Sequence, residues 1–567
     1  MTPEISNSIK ENKKAFWEWK EAGKPNPDHP LSKKQKETKR NLRSTQRLDT
    51  ATKRTKLYSD IMSASENDSK NFHKLIQQQR TTRTATVTEI RWNDNIYSTP
   101  DDIRNGFYQY FQALAIPSED SMVDANYKQL VDLDFLLIEQ ITDQSSNSTI
   151  TISLEDIASA IKEMNRGKAP DILGISAEHI QYGGQSVATF REIIRTKIVP
   201  EEIKEGLSTP IVKKNKPAMD PTNYRGITVL VSIEKLFIKL WLSKGKPHMN
   251  KNQNKMQRGF SENSSSINTG FLYSETLTES KECKEPIYVV TLDGQKAFDT
   301  VWIRSLLRNM YFTGISNDLW SMLNQLYSDV TTKVKFDNIA SDSFQMLQGV
   351  RQAGILSAPL YKQFNNKLLD TIEEQSIGAY IGPINIPAPT CADDICCITN
   401  SPIDLQACLY IVENFMNMER AKINNSKSDI LRYNTPDVKI DSWKLCNSEI
   451  KETNSTLHLG MTRNTNESID IDKMIQAGRQ TLYSLFGAGL HGRNGLNPRI
   501  AKHIWSTYVI PRLIYGLEIQ HLTDTQIQKL NQFQIRVTQT ATMVAKQMFE
   551  CCGLSTAWCR TNKSHYR

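Results

Sequence analysis

The chain has 567 residues, a formal net charge of +8, 38% hydrophobic residues and nine cysteines. That length can bury a sizeable core in two or three lobes. No apolar run approaches the ~20 residues of a membrane helix and no signal-peptide core opens the chain, which excludes the membrane-spanning and secreted classes. The expectation is a soluble, intracellular protein, cytoplasmic, nuclear or both. The cysteines are odd in number, scattered and free of any C-x-x-C spacing, which excludes a disulfide framework or zinc ribbon. The C-terminal group Cys551, Cys552, Cys559 and His565 fits no standard metal-ligand spacing.

Residues 1–85 are polar and Lys-rich, with Phe16, Trp17 and Trp19 as the early aromatic cluster, and read as one or two long helices with little core of their own. Between Leu31 and Lys56 ten basic residues stand against two acids, an excess of eight that equals the formal charge of the whole chain. Such a run is either a solvated face or a sequence-independent contact for phosphate backbone. A strand-like RWNDNIY follows, then a helix start near Pro100–Asp101 and a serine-rich break at Ser145–Thr149. Ser153 opens a helix carrying Ile157, Ala160, Ile161 and Met164. After the loop Asn165–Asp171, Ser208–Lys214 reads as a strand ending in Lys213 and Lys214, with Asn223-Tyr224-Arg225 beyond a proline-containing turn.

Ile287–Leu292 is a short apolar, β-branched run, the pattern of a buried strand, and it ends on Asp293. Ala297, Phe298, Val301 and Trp302 recur at helical spacing, so Asp293 either caps a helix or holds a metal at a strand end. At Thr390–Thr399 two apolar runs flank Asp393–Asp394 at the spacing of a tight hairpin, unlike Asp101–Asp102, which reads as a helix start. Three acids on neighbouring strand ends would repel one another unless divalent cations sit among them, about 3.5–4 Å apart as in two-metal sites. Between these stretches, Gln348–Leu368 runs from a glycine turn into an amphipathic helix with Leu360, Phe364 and Leu368 on one stripe.

In order and at this spacing, Asp293 with Ala297–Phe298, Gly349-Val350-Arg351-Gln352 through Ser357, and Ala392-Asp393-Asp394 resemble the palm motifs of reverse transcriptases of non-LTR (LINE-like) retrotransposons. Asn165–Asp171, Asn223-Tyr224-Arg225, Gly259–Phe260, Asn424-x-x-Lys427-Ser428 and Leu457–Gly460 resemble the finger, template, late-palm and primer-grip segments of the same family. The resemblance implies an α+β right-hand polymerase, with fingers, a palm built on an antiparallel sheet, a helical thumb and a basic helical N-terminal extension. The implied boundaries are an extension over 1–85, a helical region over 86–150, fingers and palm over 151–435, primer grip and thumb over 436–520 and a truncated C-terminal region over 521–567.

It further implies RNA-directed DNA polymerase activity on an RNA template, a DNA primer and dNTPs, with no membrane and the nicking endonuclease outside this chain. Asp293, Asp393 and Asp394 would hold two Mg²⁺ ions, with Mn²⁺ as a substitute. Lys427 would protonate pyrophosphate. Arg225, with Lys213, would bind triphosphate, and Phe298 would exclude a ribose 2′-hydroxyl. Arg351 and Gln352 would lie near template base and nucleotide, with Gly349 allowing close backbone approach. The chain departs from the family pattern at Gly226, Ala353, Ala358 and Cys391, where the family has proline, glycine, proline and an aromatic residue. An RNA-dependent RNA polymerase would share the acids but not Phe298, Asn223-Tyr224-Arg225 or Lys427. A remnant that binds nucleic acid without turnover is the alternative from another class.

Overall fold

The computed structural model describes residues 2–80, 87–117, 123–144, 152–183, 199–214, 216–435, 442–446, 448–490 and 495–542. Ser145–Thr149 and the Cys551, Cys552, Cys559 and His565 group lie outside them. Residues 85–469 form one compact unit, and residues 1–84 with 470–567 form another.

The strands of the larger unit are β1 (Ile90–Trp92), β2 (Asn95–Tyr97), β3 (Gly206–Val212), β4 (Tyr224–Val229), β5 (Ile287–Asp293), β6 (Thr331–Phe336), β7 (Ile339–Gln345) and β8 (Ala379–Ile381). They continue as β9 (Ile384–Ile386), β10 (Asp394–Thr399), β11 (Asp429–Tyr433), β12 (Trp443–Leu445), β13 (Ser448–Glu452), β14 (Ser455–His458) and β15 (Met461–Asn464). The palm sheet has the order β10-β5-β11-β13-β12. β10, β5 and β11 are antiparallel, as expected, while β13 joins β11 in parallel.

β5 is apolar at nearly every position because both of its faces are covered. Val290 and Leu292 pack with Ile395, Cys397, Leu360 and Phe364 on one side, and Ile287 and Val289 pack with Tyr273, Cys396 and Ile398 on the other. The helices Ser357–Glu374 and Ser266–Cys283 supply these two layers. Each fully buried Val or Leu there contributes about 1.5–3 kcal/mol, so the strand that ends on Asp293 is held firmly. A second sheet, β4-β3-β6-β7, packs Tyr224, Val334 and Phe344 onto Phe107 and Phe111 of the helix Pro100–Leu114. This is the α+β right-hand polymerase architecture, with the second sheet in the place of the fingers.

Two local expectations give way. No helix follows Asp293: residues 294–302 form turns, and the helix starts at Ile303. Lys296 takes φ +52°, and the carbonyls of Phe298 and Val301 accept from the N–H groups of Val350 and Gly349 instead of from residues one helical turn on. The helical spacing of Ala297, Phe298, Val301 and Trp302 therefore belongs to a loop pinned sideways. Asp393–Asp394 is also not the two-residue loop of its hairpin. Cys391 and Asp394 exchange backbone hydrogen bonds (3.0 and 3.2 Å), so Ala392 and Asp393 occupy the turn and Asp394 is the first residue of β10.

In the smaller unit the basic run lies on one 38-residue helix, Pro30–Asn67, with all ten cations exposed. The buried residues at its end, Tyr58 and Ile61, and Phe72 and Ile76 of the next helix, need partners from beyond residue 470. Phe72 lies 5.2 Å from the His503 ring, and the His73 ring nitrogen is 2.8 Å from the Tyr508 hydroxyl.

The Asp393 turn is set against Gly259, where an added methyl would run into the backbone nitrogen of Ala392 and come within 2.8 Å of its Cα. Backbone cannot rotate out of the way as a side chain can. Gly259→Ala should therefore lower stability by about 1–3 kcal/mol, the usual cost of overpacking, as read by thermal melting. Gly174→Ala, which meets nothing within 4 Å despite its positive φ, should cost less.

Candidate active site

β10 and β5 pair so that Asp394 stands directly opposite Asp293. Directly opposed side chains on antiparallel strands are about 4.5–5.5 Å apart at Cβ, and like charges there are destabilising. Asp393 sits on the adjoining turn. Burial, then the Asp393 and Asp293 charges, push the Asp394 carboxyl up to about 6. Burial and Asp293 push Asp393 up as well, opposed by the positive charges of Arg225 and Lys427.

The loop after the helix Pro402–Glu419 is zipped onto the end of β5. Gln295 N–H donates to Lys422 O, and Asn424 N–H to Asp293 O, each at 2.8 Å. A short 3₁₀ turn, Asn425–Lys427, then presents Lys427, whose Nζ donates to Asp293 Oδ2 at 2.8 Å. Lys427 is thus ion-paired with Asp293, while the Arg225 charge acts on Asp393. Among the described residues no three His, Cys, Asp or Glu side chains close on a single point.

The donor set nonetheless suits a hard divalent cation. Magnesium keeps several waters and takes one or two carboxylates besides phosphate oxygens. Asp393 and Asp394 present such oxygens, and their raised affinity for protons marks positive charge that the fold does not itself supply.

Arg225 is exposed on β4, and its charge acts on Asp393 and Lys213. Lys213 is tied down, its N–H donating to Asn223 O (2.8 Å) and its Nζ to Thr222 O (3.2 Å). Its pKa is lowered by burial and by Arg225 and Lys427, against the pull of Asp299 and Asp293. Phe298 stacks on Tyr361 (4.7 Å, 15°) and meets Phe260 edge-on (6.2 Å). Gln352 Nε2 donates to both oxygens of Asp299 at 2.9 Å.

Arg351 is a correction. It is 6% exposed, forms an ion pair with buried Glu234 at 2.7 Å and donates to Lys204 O. Leaving that pair would strand a buried carboxylate, so Arg351 braces the core and does not face template or nucleotide. Gly349 is corrected in its neighbour. Its φ is +90°, and an added methyl would lie 2.6 Å from Asp299 O, so the backbone it lets in is that of residue 299.

The departures from the family pattern acquire physical reasons. A Cβ at Gly226 already lies 2.6 Å from Ser208 Oγ and 2.9 Å from Phe111, leaving no room for a larger ring. Ala353 takes φ +72°, the conformation for which glycine is the usual residue, and carries the strain of its methyl. Ala358 is followed by Pro359 in the first turn of the helix Ser357–Glu374, where a missing N–H breaks no helical bond. Cys391 lies 3.5 Å from Ser266 Oγ, its thiol pKa raised by burial. Residues missed from the sequence are Tyr361, Phe260 as a ring partner and Asp299. The signal for Asp299, an acid directly after Ala297–Phe298, was in view.

Strand-end acids on a palm sheet, beside a second sheet bearing cations, fit the right-hand polymerase fold class. Residues 211–462 match the family model described as reverse transcriptase (RNA-dependent DNA polymerase). Over these residues the chain carries a reverse-transcriptase domain. It is 25% identical over 224 residues to a "Retrovirus-related Pol polyprotein from type-1 retrotransposable element R2" of Popillia japonica, covering 39% of this chain and 31% of that protein. It is 23% identical over 372 residues to a "Probable RNA-directed DNA polymerase from transposon X-element" of Drosophila melanogaster, covering 62% and 39%. The chain thus spans about a third to two-fifths of the length of these relatives. A solved structure of apo telomerase from Candida tropicalis, truncated from the C-terminal domain, aligns over 72% of this chain and 88% of that one, with 13% identity and a TM-score of 0.35. Reverse transcriptases as a family use divalent metal ions. Among the described residues no helix is long and apolar enough to cross a membrane.

Because the folded pKa of Asp394 is raised, its contribution to stability is full below its ordinary value near 4 and is lost as pH rises through about 6. Asp394→Asn should raise the metal-free melting temperature by a few degrees at pH 7.5 and change it little at pH 4.5. Mg²⁺ should raise the melting temperature of the parent at pH 7.5 and that of the variant much less.

Proposed function

We propose that this chain is an RNA-directed DNA polymerase, transferring nucleotides from dNTPs to a primer 3′-hydroxyl on an RNA template. The observation that carries this reading is the Asp293–Asp394 register, with Asp393 on the adjoining turn. Two Mg²⁺ ions, or Mn²⁺ in their place, would be held by Asp293, Asp393 and Asp394; when bound, they supply an acidified hydroxyl and a neutralised triphosphate.

The rest is positioning by the protein's own groups. Arg225 offers the planar donor fork suited to phosphate, and Lys213 adds a second cation. Lys427, 57% exposed and paired with Asp293, would be the proton donor to departing pyrophosphate, a reading its exposed ammonium beside the acids supports. Phe298 is held from behind by Tyr361, so its ring cannot retreat from a sugar above it. The exposed cations of Pro30–Asn67 attract phosphate backbone without reading sequence. The helices Ile471–Ser484 and Pro498–Ile504 would take the part of the thumb, and the β14–β15 hairpin that of the primer grip.

A nucleic-acid-binding remnant without turnover is the second reading, favoured by one observation: Ala353 carries a methyl and φ +72° beside Gln352. Primer extension with a primed RNA template, dNTPs and Mg²⁺ against EDTA separates the two. Asp293→Asn should abolish extension while leaving RNA affinity within about twofold; equal loss of both would make the acid structural. Phe298→Ala should raise ribonucleotide incorporation relative to deoxynucleotide by at least about tenfold, the scale of one lost steric contact. An unchanged ratio removes Phe298 from sugar selection.

A further inference from the structure

Asp299 joins three elements on which the proposed site depends. Its backbone lies against Gly349, so closely that no side chain fits between them. Its carboxylate accepts from Gln352 Nε2 through both oxygens, and Gln352 O accepts from Thr228 N–H of β4 at 3.1 Å. Beside it opens a cavity lined by Phe111, Ser208, Gly226, Thr228 and Gln352. The backbone of Gln352 is therefore held by β4, and the side-chain amide is the part still free to turn.

A carboxamide has a donor end and an acceptor end, whereas an ionised carboxylate only accepts. While Asp299 is ionised, the amide must turn its NH₂ group toward the acid and leave Oε1 as the acceptor facing outward. A protonated Asp299 has a donor of its own and can hold Oε1, which frees the amide to reverse. We propose that Asp299 is a positioning residue for nucleotide selection, fixing which end of the Gln352 carboxamide meets the nucleotide or its template base. This rests on the polymerase reading of the site.

The groups facing Asp299 are Gln352 and the cations Lys296 and Lys213, with the Tyr110 ring 5.1 Å beneath the Lys296 ammonium. Burial raises the Asp299 carboxyl to about 6, while Gln352, Lys296 and Lys213 pull it down. Asp299 is then ionised at neutral pH and largely neutral at pH 5. No other Asp or Glu is among the groups that set this shift.

The test uses the full chain on a primed RNA template, with dNTP Kd read by isothermal titration in Mg²⁺ and KM and kcat by single-nucleotide extension from pH 5 to 8. Asp299→Asn keeps the shape but offers one acceptor and a competing donor, so it no longer dictates the amide's direction. It should raise dNTP Kd and KM roughly five- to tenfold, the worth of about one hydrogen bond, with kcat within about twofold. Both proteins keep Asp394, which also titrates near 6, so the reading is the difference: the parent's advantage in KM over the variant should shrink as pH falls below 6. Added to Gln352→Ala, Asp299→Asn should have no further effect on Kd, because Asp299 acts through Gln352.

An unchanged Kd and pH profile, or a full additional loss on the Gln352→Ala background, overturns the proposal. If Asp299→Asn melts early, Asp299→Glu, which restores the carboxylate, should recover the pH dependence; failure to do so also counts against it. Binding of dNTP without extension in the parent overturns the polymerase reading while the Kd comparison still decides this one. Neither binding nor extension overturns both.

Discussion

The structure depends on a confrontation it does not itself resolve: Asp394 faces Asp293 across antiparallel strands, with Asp393 one residue away. Opposed carboxylates cost stability, and they persist here because the strands that carry them are buried on both faces. β5 is sandwiched between the helices Ser357–Glu374 and Ser266–Cys283, and the apolar burial along it outweighs the repulsion at its end. Lys427 offsets part of the charge through Asp293. Burial first, and then the repulsion that is left, raises the proton affinity of Asp393 and Asp394. These carboxyls take up protons at higher pH than ordinary aspartates, and cations or polyphosphate would relieve repulsion already present.

Around that point the fold spends specific backbone concessions. Ala392 and Ala353 both adopt positive φ, at +60° and +72°, although neither is glycine. Gly259 and Gly349 each let one backbone approach another where a methyl would not fit. These are places where the chain's local preferences yield to the position of a functional side chain. The buried Arg351–Glu234 pair serves a different end. It locks the turn that carries Gln352 to the helix Ser232–Lys251, and its burial makes removal of either partner costly.

Several features could be read from residues alone because each is encoded within a few neighbours. The apolar run of Ile287–Leu292 reads as a strand because period and burial agree along it. The stripe of Leu360, Phe364 and Leu368 reads as a helix, and Ser153 with Asp156 forms the capping box its spacing suggests. The motif order likewise pointed to the reverse-transcriptase family, which the match over 211–462 supports. Lys296 shows where such reading fails. Its left-handed φ, with the Phe298 and Val301 carbonyls bonded to Val350 and Gly349, turns an apparent helix into a loop.

What the sequence by itself determined, then, is the identity of the elements and the family of the site. It holds the strand ending on Asp293, the adjacent acids, the glutamine after a glycine turn and the basic helix, because side-chain periodicity and short-range turn chemistry are local. Only the tertiary structure decided which acid faces which, that Arg351 is spent on Glu234, that Asp299 accepts from Gln352, and that residues 1–84 share a compact unit with residues past 470. Those facts join residues from tens to hundreds of positions apart. They are set by strand register and by competition for buried partners, which no window of sequence contains.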